Sequence, residues 1–133
     1  MFNVKDQGVL LALGGDISEA GDGWTFHGNR ESPLQLGTCR LMEKTTLQPH
    51  DHKVRARITG HKTHEVIIVM AGSIEATFYG LDRRPIVSHI LKAGGFVFLY
   101  DGGHGFHVLE DGTRLIEVKN GPFAPTEEDK ERF

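Results

Sequence analysis

Short runs of β-branched and aromatic residues, each ended by a turn signal, recur along this chain of 133 residues. The clearest run is 65–70 (EVIIVM), which the turn residues 71–73 (AGS) follow. Further runs of this kind occupy 8–13, 34–42, 74–79, 86–91, 96–100 and 113–119. Asp111-Gly112 is the strongest hairpin signal. Only two short helices are plausible, one of them charged and following a capping-box sequence at Thr126. This pattern predicts an all-β sandwich or barrel.

Composition narrows the class of protein further. A hydrophobic fraction of 38% and a charged fraction of 25% are typical of a soluble globular protein, and the length predicts one domain over 1–133. The formal charge of −3, with no basic cluster flanked by aromatic residues, argues against nucleic acid as a partner. Cys39 is the only cysteine, so no intrachain disulfide forms. Without an apolar run of about 18 residues or a leader at Met1, we expect no membrane span and a cytoplasmic location.

Residues with metal-ligating side chains are concentrated between 50 and 65. His50 and His52 are two residues apart, so a strand would place both imidazoles on one face. Glu65 opens an apolar run, and a buried carboxylate must be protonated, paired with a cation or bound to a metal. Imidazole and carboxylate together suit Fe, Mn, Co, Ni, Cu or Zn. A His–Glu hydrogen-bond network without an ion is the alternative, because it satisfies the same groups.

The alternation of side chains along a strand sorts the remaining histidines. His64 precedes Glu65 directly and should therefore face the opposite side of the sheet, towards the surface or an interface. His104 and His107 are three residues apart, so at most one of them should face the interior. His61 falls in a predicted turn. The sequence leaves open whether His61, His64 or His107 replaces one of the other ligands.

The motif His-x-His, followed by Glu65 with six residues before Gly72, resembles the first motif of the cupin superfamily. His104-Gly105-Phe106 resembles the second motif, and the resemblance covers about 47–122. Two departures are the twelve residues 53–64, where the family usually has three or four, and the sequence 99–104 (LYDGGH) in place of Pro-x-Gly-x-x-His.

The resemblance has implications for the fold and the site. It implies a double-stranded β-helix, or jelly-roll, barrel with its core over about 34–122, and association as a homodimer. It also implies a divalent transition metal held by His50, His52, Glu65 and His104.

Three histidines and one glutamate leave coordination positions open for catalysis. The polar residues expected near such a site are Glu65, Tyr100, Glu117 and Lys119 as catalytic candidates, and Arg55 and Arg57 as substrate-binding candidates. An arginine there suits an anionic substrate. Glu117 and Lys119 would line the cavity if Ile116 and Val118 pack outward; otherwise they form a solvated face.

Three functions are compatible with these residues. The first is a metal-dependent enzyme acting on a small polar metabolite such as a sugar or sugar nucleotide, by isomerisation, epimerisation or oxygen activation. The second is a non-catalytic domain that binds or senses a sugar or organic acid. The third is a structural homodimer module, associating through exposed aliphatic residues of an edge strand at 86–90.

Overall fold

The structure is a computed structural model that describes residues 1–29, 32–50, 60–120 and 131–133. Its strands are β1 (Phe2–Asp6), β2 (Val9–Asp16), β3 (Gly23–His27), β4 (Leu36–Arg40), β5 (Glu65–Ala71), β6 (Ser73–Tyr79), β7 (Pro85–Lys92), β8 (Gly95–Leu99), β9 (Gly103–Val108) and β10 (Arg114–Lys119). The only described helix is one 3-10 turn, Ile17–Glu19, capped by Asp16. The described chain is therefore all-β, as the sequence predicts. The predicted strand residues 51–56 and the predicted helix at Thr126 lie outside the described residues.

Two sheets form the body of the molecule. A five-stranded sheet has the order β1-β2-β8-β5-β10, and a three-stranded sheet has the order β7-β6-β9; the strands within each of these two sheets are antiparallel. The cluster that both sheets share, called here the inner core, contains Val4, Leu11, Ala12, Ile67, Val69, Ile74, Ala76, Phe78, Leu91, Val97 and Leu99. The described strands form a sandwich around this core and do not close into a barrel.

The other face of the five-stranded sheet carries a second cluster, called here the outer core. It contains Leu13, Val66, Phe96, Phe98 and Tyr100, with Leu10, Leu34, Leu36 and Ile68 packed against it. The ribbon of β3 and β4 lies over part of this face, since Leu36 of β4 packs against the cluster and the ring of His27 of β3 lies 6.5 Å from that of Phe96. Successive residues of β8 alternate between the two cores, because strand side chains point to opposite faces.

The turn at Asp111-Gly112 is present, but it does not close a hairpin. β9 pairs with β6 and β10 pairs with β5, so the turn joins two different sheets. Gly72 makes a second corner of this kind, between β5 and β6. Gly72 has φ +73°, and a Cβ there would overlap the Thr113 hydroxyl. Both corners can pack together because Gly72 has no side chain.

Two further local predictions were wrong. The glycine-rich sequence Gly14-Gly15-Asp16 predicts a break after the run at 8–13, but it lies inside β2. Glycine is needed there because a Cβ at Gly14 would overlap Phe2 of β1 and the Phe96 carbonyl oxygen of β8. The sequence also suggests that Trp24 and Phe26 pack against the core. Instead they are 56% and 68% exposed, because they lie on the outer face of the ribbon.

Strand β7 is an edge of the three-stranded sheet, and its residues Ile86 and Ile90 are exposed as predicted. No helix among the described residues has the length and apolar character needed to cross a membrane.

Candidate functional site

Glu65 begins β5 and points into the space between the two main sheets. It shares a face with Ile67 and Val69, which belong to the inner core. The residue is only 4% exposed. Its register partners are Leu99 on β8 and Lys119 on β10, so the carboxylate lies at the end of the inner core and not at its centre.

His104 meets Glu65 from the opposite sheet. It lies on β9 in register with Phe78, a buried residue of the inner core, so its ring faces inward. His104 Nε2 lies 3.1 Å from Glu65 Oε2, and the two side chains are 27% and 5% exposed. His107 is in register with Glu75 on the other face of the sheet. The alternation that separates His104 from His107 in the sequence therefore describes the structure correctly.

The Glu65–His104 pair forms part of the wall of a wide cavity of about 1370 Å³. Its apolar lining includes Ile67, Leu99, Phe106 and Leu115, and Glu117 borders it from β10. Glu117 is in register with Ile67, whereas Ile116 and Val118 are 44% and 45% exposed on the opposite face. Ile116 and Val118 thus point outward, but of Glu117 and Lys119 only Glu117 is among the residues that line the cavity. Glu117 then faces the same cavity as Glu65.

Charged residues at the mouth of the cavity were missed by the sequence analysis. The Lys62 ammonium forms an ion pair with the Asp101 carboxylate, which also accepts a hydrogen bond from the Gly102 N–H at 2.8 Å. Burial raises the pKa of Asp101, but these hydrogen bonds outweigh burial and leave the pKa below its usual value. The pair connects the segments that lead into Glu65 and His104. Nothing in the local sequence distinguishes Lys62 from an ordinary surface lysine.

The other two catalytic candidates, Lys119 and Tyr100, differ from each other in their position relative to Glu65. Lys119 lies on the inner face beside Glu65 in the strand register. Tyr100 borders the cavity, but its ring stacks on Phe98 at 4.1 Å and a Cβ at Gly28 would overlap its hydroxyl. That hydroxyl therefore points into the outer core, away from Glu65. Burial raises the pKa of Tyr100 to about 12, so it is fully protonated near neutral pH.

Of the three histidines that could replace a predicted ligand, His61, His64 and His107, only one borders the cavity. His61 lines it. His64 faces the outer core, where its ring meets that of Tyr100 edge-on at 5.3 Å. Burial lowers the pKa of His64, as does the nearby His61, whereas Asp101 raises it. The Nδ1 atom of His64 is buried without a hydrogen-bond partner among the described residues.

Of the other two predicted ligands, only His50 lies within the described residues, and it is not brought together with this pair. His50 is exposed, and its Nδ1 lies 3.1 Å from the Gln48 carbonyl oxygen. His52, Arg55 and Arg57 lie outside the described residues. Within the described ranges, no group of three or more His, Cys, Asp and Glu side chains is arranged to hold a metal ion.

Comparison with known proteins does not assign this chain to a family. The chain matches no protein-family model, no curated protein and no solved structure.

Proposed function

We propose that this chain is a small cupin whose cavity binds a divalent transition metal and acts on a small polar metabolite. One observation carries the proposal: a buried carboxylate and an imidazole from two different sheets meet at 3.1 Å in the wall of a large cavity. The His-x-His sequence at 50–52 and the spacing from Glu65 to Gly72 support it. The proposal includes a jelly-roll barrel, a short C-terminal helix and a homodimer.

The chemistry of the donor set fits a metal. A glutamate oxygen and an imidazole nitrogen are the ligand types that Fe, Mn, Co, Ni, Cu and Zn accept. The Glu65 carboxylate would offset part of the charge of the ion, and the His104 Nε2 would bind it in the neutral form of the ring. In the proposal, His50 and His52 complete the set, which leaves one or two positions for a substrate or water.

The proposal gives distinct roles to a bound ion and to the residues that line the cavity. A bound divalent ion would supply Lewis acidity, polarising a carbonyl or hydroxyl oxygen of the metabolite. Glu117 faces the same cavity from β10 and is the candidate proton acceptor or donor. Ile67, Leu99 and Leu115 provide apolar walls that orient the ligand. The substrate class in this proposal is a sugar or sugar nucleotide, and the reaction is isomerisation, epimerisation or oxygenation.

A second candidate function is a non-catalytic domain that binds or senses a sugar or small acid. The observation that favours it is the direct Glu65–His104 contact, which satisfies both groups without an ion. Tyr100 also turns its hydroxyl away from the cavity, so it supplies no acid–base group there.

The deciding experiment is metal analysis by inductively coupled plasma mass spectrometry on protein purified without a His tag or added metal. Wild type is compared with His52→Ala and His104→Ala, and with His107→Ala as the matched control because His107 faces away from Glu65. Near-stoichiometric metal in wild type and His107→Ala, lost in the other two variants, is the expected result. Metal-free wild type with no affinity on titration would reject the metal site and leave the ligand-binding function.

A further inference from the structure

Residues 131–133 are anchored at the mouth of the cavity by three contacts. The Phe133 ring meets that of Tyr79 edge-on at 5.3 Å, and the Arg83 guanidinium lies 5.2 Å from the Phe133 ring centroid. A Cβ at Gly103 would lie 2.6 Å from Phe133 Cζ, so a glycine beside His104 makes room for this ring. Arg83 Nη2 also lies 2.6 Å from Glu131 Oε2.

The backbone of Arg83 is strained where these contacts are made. Arg83 has φ +66°, a left-handed backbone conformation that residues other than glycine, asparagine and aspartate rarely adopt. Glycine would adopt it without strain but would provide neither the cation–π contact with Phe133 nor the ion pair with Glu131. The strain at Arg83 is thus offset by contacts that fix residues 131 and 133.

Arg132 lies between these two anchored residues and lines the same cavity as Glu65 and His104. The other two basic side chains of the described lining, excluding histidines, are paired: Lys62 with Asp101 and Arg83 with Glu131. With the residues that the structure describes, Arg132 forms no ion pair. Glu65 and Glu117 also face the cavity, and a divalent ion bound at Glu65 would balance the two carboxylates. Among the described residues of the lining, Arg132 would then be the positive charge that no carboxylate balances.

We propose that Arg132 recognises an anionic group of the ligand, so that the metabolite bound in this cavity carries a carboxylate or a phosphate. This inference rests on the proposed function, because it names the class of ligand that the same site takes. The guanidinium is suited to the role, since it can donate two parallel hydrogen bonds to an oxyanion. Anchoring by Phe133 and Glu131 on either side reduces the entropy lost when Arg132 is held at the ligand.

The test is titration calorimetry with inorganic phosphate and with acetate at constant ionic strength, on metal-loaded and metal-free protein. The proteins are wild type, Arg132→Ala, Arg132→Lys and, as the matched control, Arg114→Ala, which removes an exposed arginine of β10. We expect Arg132→Ala to weaken binding of at least one anion by roughly 10-fold or more, because a hydrogen bond to a charged group is lost. Arg132→Lys should keep part of the affinity, and Arg114→Ala should bind like wild type. The anion that binds more tightly identifies the group as carboxylate or phosphate.

Equal affinity in wild type and Arg132→Ala, or no binding of either anion at millimolar concentration, would overturn the inference. Metal content is measured on the same samples. If metal is retained and anion binding does not depend on Arg132, the inference fails and the metal proposal stands. If wild type binds no metal but binds phosphate or acetate through Arg132, the metal proposal fails and anion recognition stands.

Discussion

The two faces of the five-stranded sheet differ in whether their buried polar groups have a partner. On the inner face, Glu65 is paired with His104 in the wall of the cavity. On the outer face, His64 Nδ1 and the Tyr100 hydroxyl are both buried without a hydrogen-bond partner among the described residues. Glu65 and His64 are neighbours in the chain, so the two environments are one residue apart at the point where β5 begins.

This difference indicates which face of the sheet determines ligand binding and which face determines stability. Paired polar groups in the wall of a cavity can exchange their mutual contact for a contact with a ligand, because both line the space that the ligand would occupy. Unpaired polar groups inside a packed apolar cluster lose their contacts with water and gain nothing in return. We therefore expect changes on the inner face to alter binding and changes on the outer face to alter the free energy of unfolding.

The largest effect is expected from Phe98→Ala on the outer face. Phe98 is fully buried, so removing its ring should lower the free energy of unfolding by about 3–5 kcal/mol. Urea denaturation measures the change, with Ile116→Ala as the control for an exposed residue. The folded fraction of Phe98→Ala should bind ligand as wild type does. A loss below about 1 kcal/mol would mean that the outer core is not well packed.

High pH should destabilise the protein through Tyr100. Its pKa is about 12 in the folded protein and near 10 when unfolded, so the folded state holds the proton more tightly between these values. The contribution is fully present below pH 10 and falls by up to about 2–3 kcal/mol as the pH approaches 12.

Unfolding measured from pH 9 to 12 should therefore be less pH-dependent in Tyr100→Phe than in wild type. The chain has two tyrosines, so tyrosinate absorbance in Tyr79→Phe reports Tyr100 alone. Titration of that tyrosine near pH 10 would contradict the buried position of its hydroxyl.

On the inner face, a double-mutant cycle of Glu65→Gln and His104→Ala should give a coupling energy of about 1–2 kcal/mol in metal-free protein. The value is below that of a fully buried pair because His104 is partly exposed. The matched cycle of Glu65→Gln with His107→Ala should give no coupling, since His107 lies on the other face. Equal coupling in both cycles would show that the Glu65–His104 contact is not specific.

The smallest effect has the opposite sign. Tyr100→Phe at pH 7 should raise the free energy of unfolding by about 1 kcal/mol, because it removes a buried hydroxyl that has no partner among the described residues. Tyr79→Phe, outside both cores, should change it by less than about 0.5 kcal/mol. Destabilisation by Tyr100→Phe would indicate that the hydroxyl is hydrogen-bonded in solution.

The strands could be predicted from the sequence because their signals are local. Alternation and turn residues place β5 to β8 within one or two residues of their observed bounds. Strand partners depend on distant segments, which is why Asp111-Gly112 suggested a hairpin although its strands enter different sheets. The exposure of Trp24 and Phe26 depends on which side of the ribbon is covered, and no local pattern encodes that.

The residues of the candidate site also divide into those that the local sequence could predict and those that it could not. Glu65 was identifiable because a carboxylate buried at the head of an apolar run must be protonated, paired with a cation or bound to a metal. His104 was favoured over His107 by resemblance to a known motif, and its inward direction follows from its register with Phe78. Arg132 and Lys62 could not be identified, because their positions depend on contacts with segments far away in the chain.

The strand order also sets how this protein folds. β2, near the start of the chain, pairs with β8, and β8 must lie beside β5 before the inner face is complete. Pairings between distant segments slow folding, because the entropy of closing long loops is lost before the contacts form. Glu65 and His104 come from different sheets, so they can meet only after both sheets have assembled. We therefore expect refolding in milliseconds to seconds, with any ligand captured only at the end of the process.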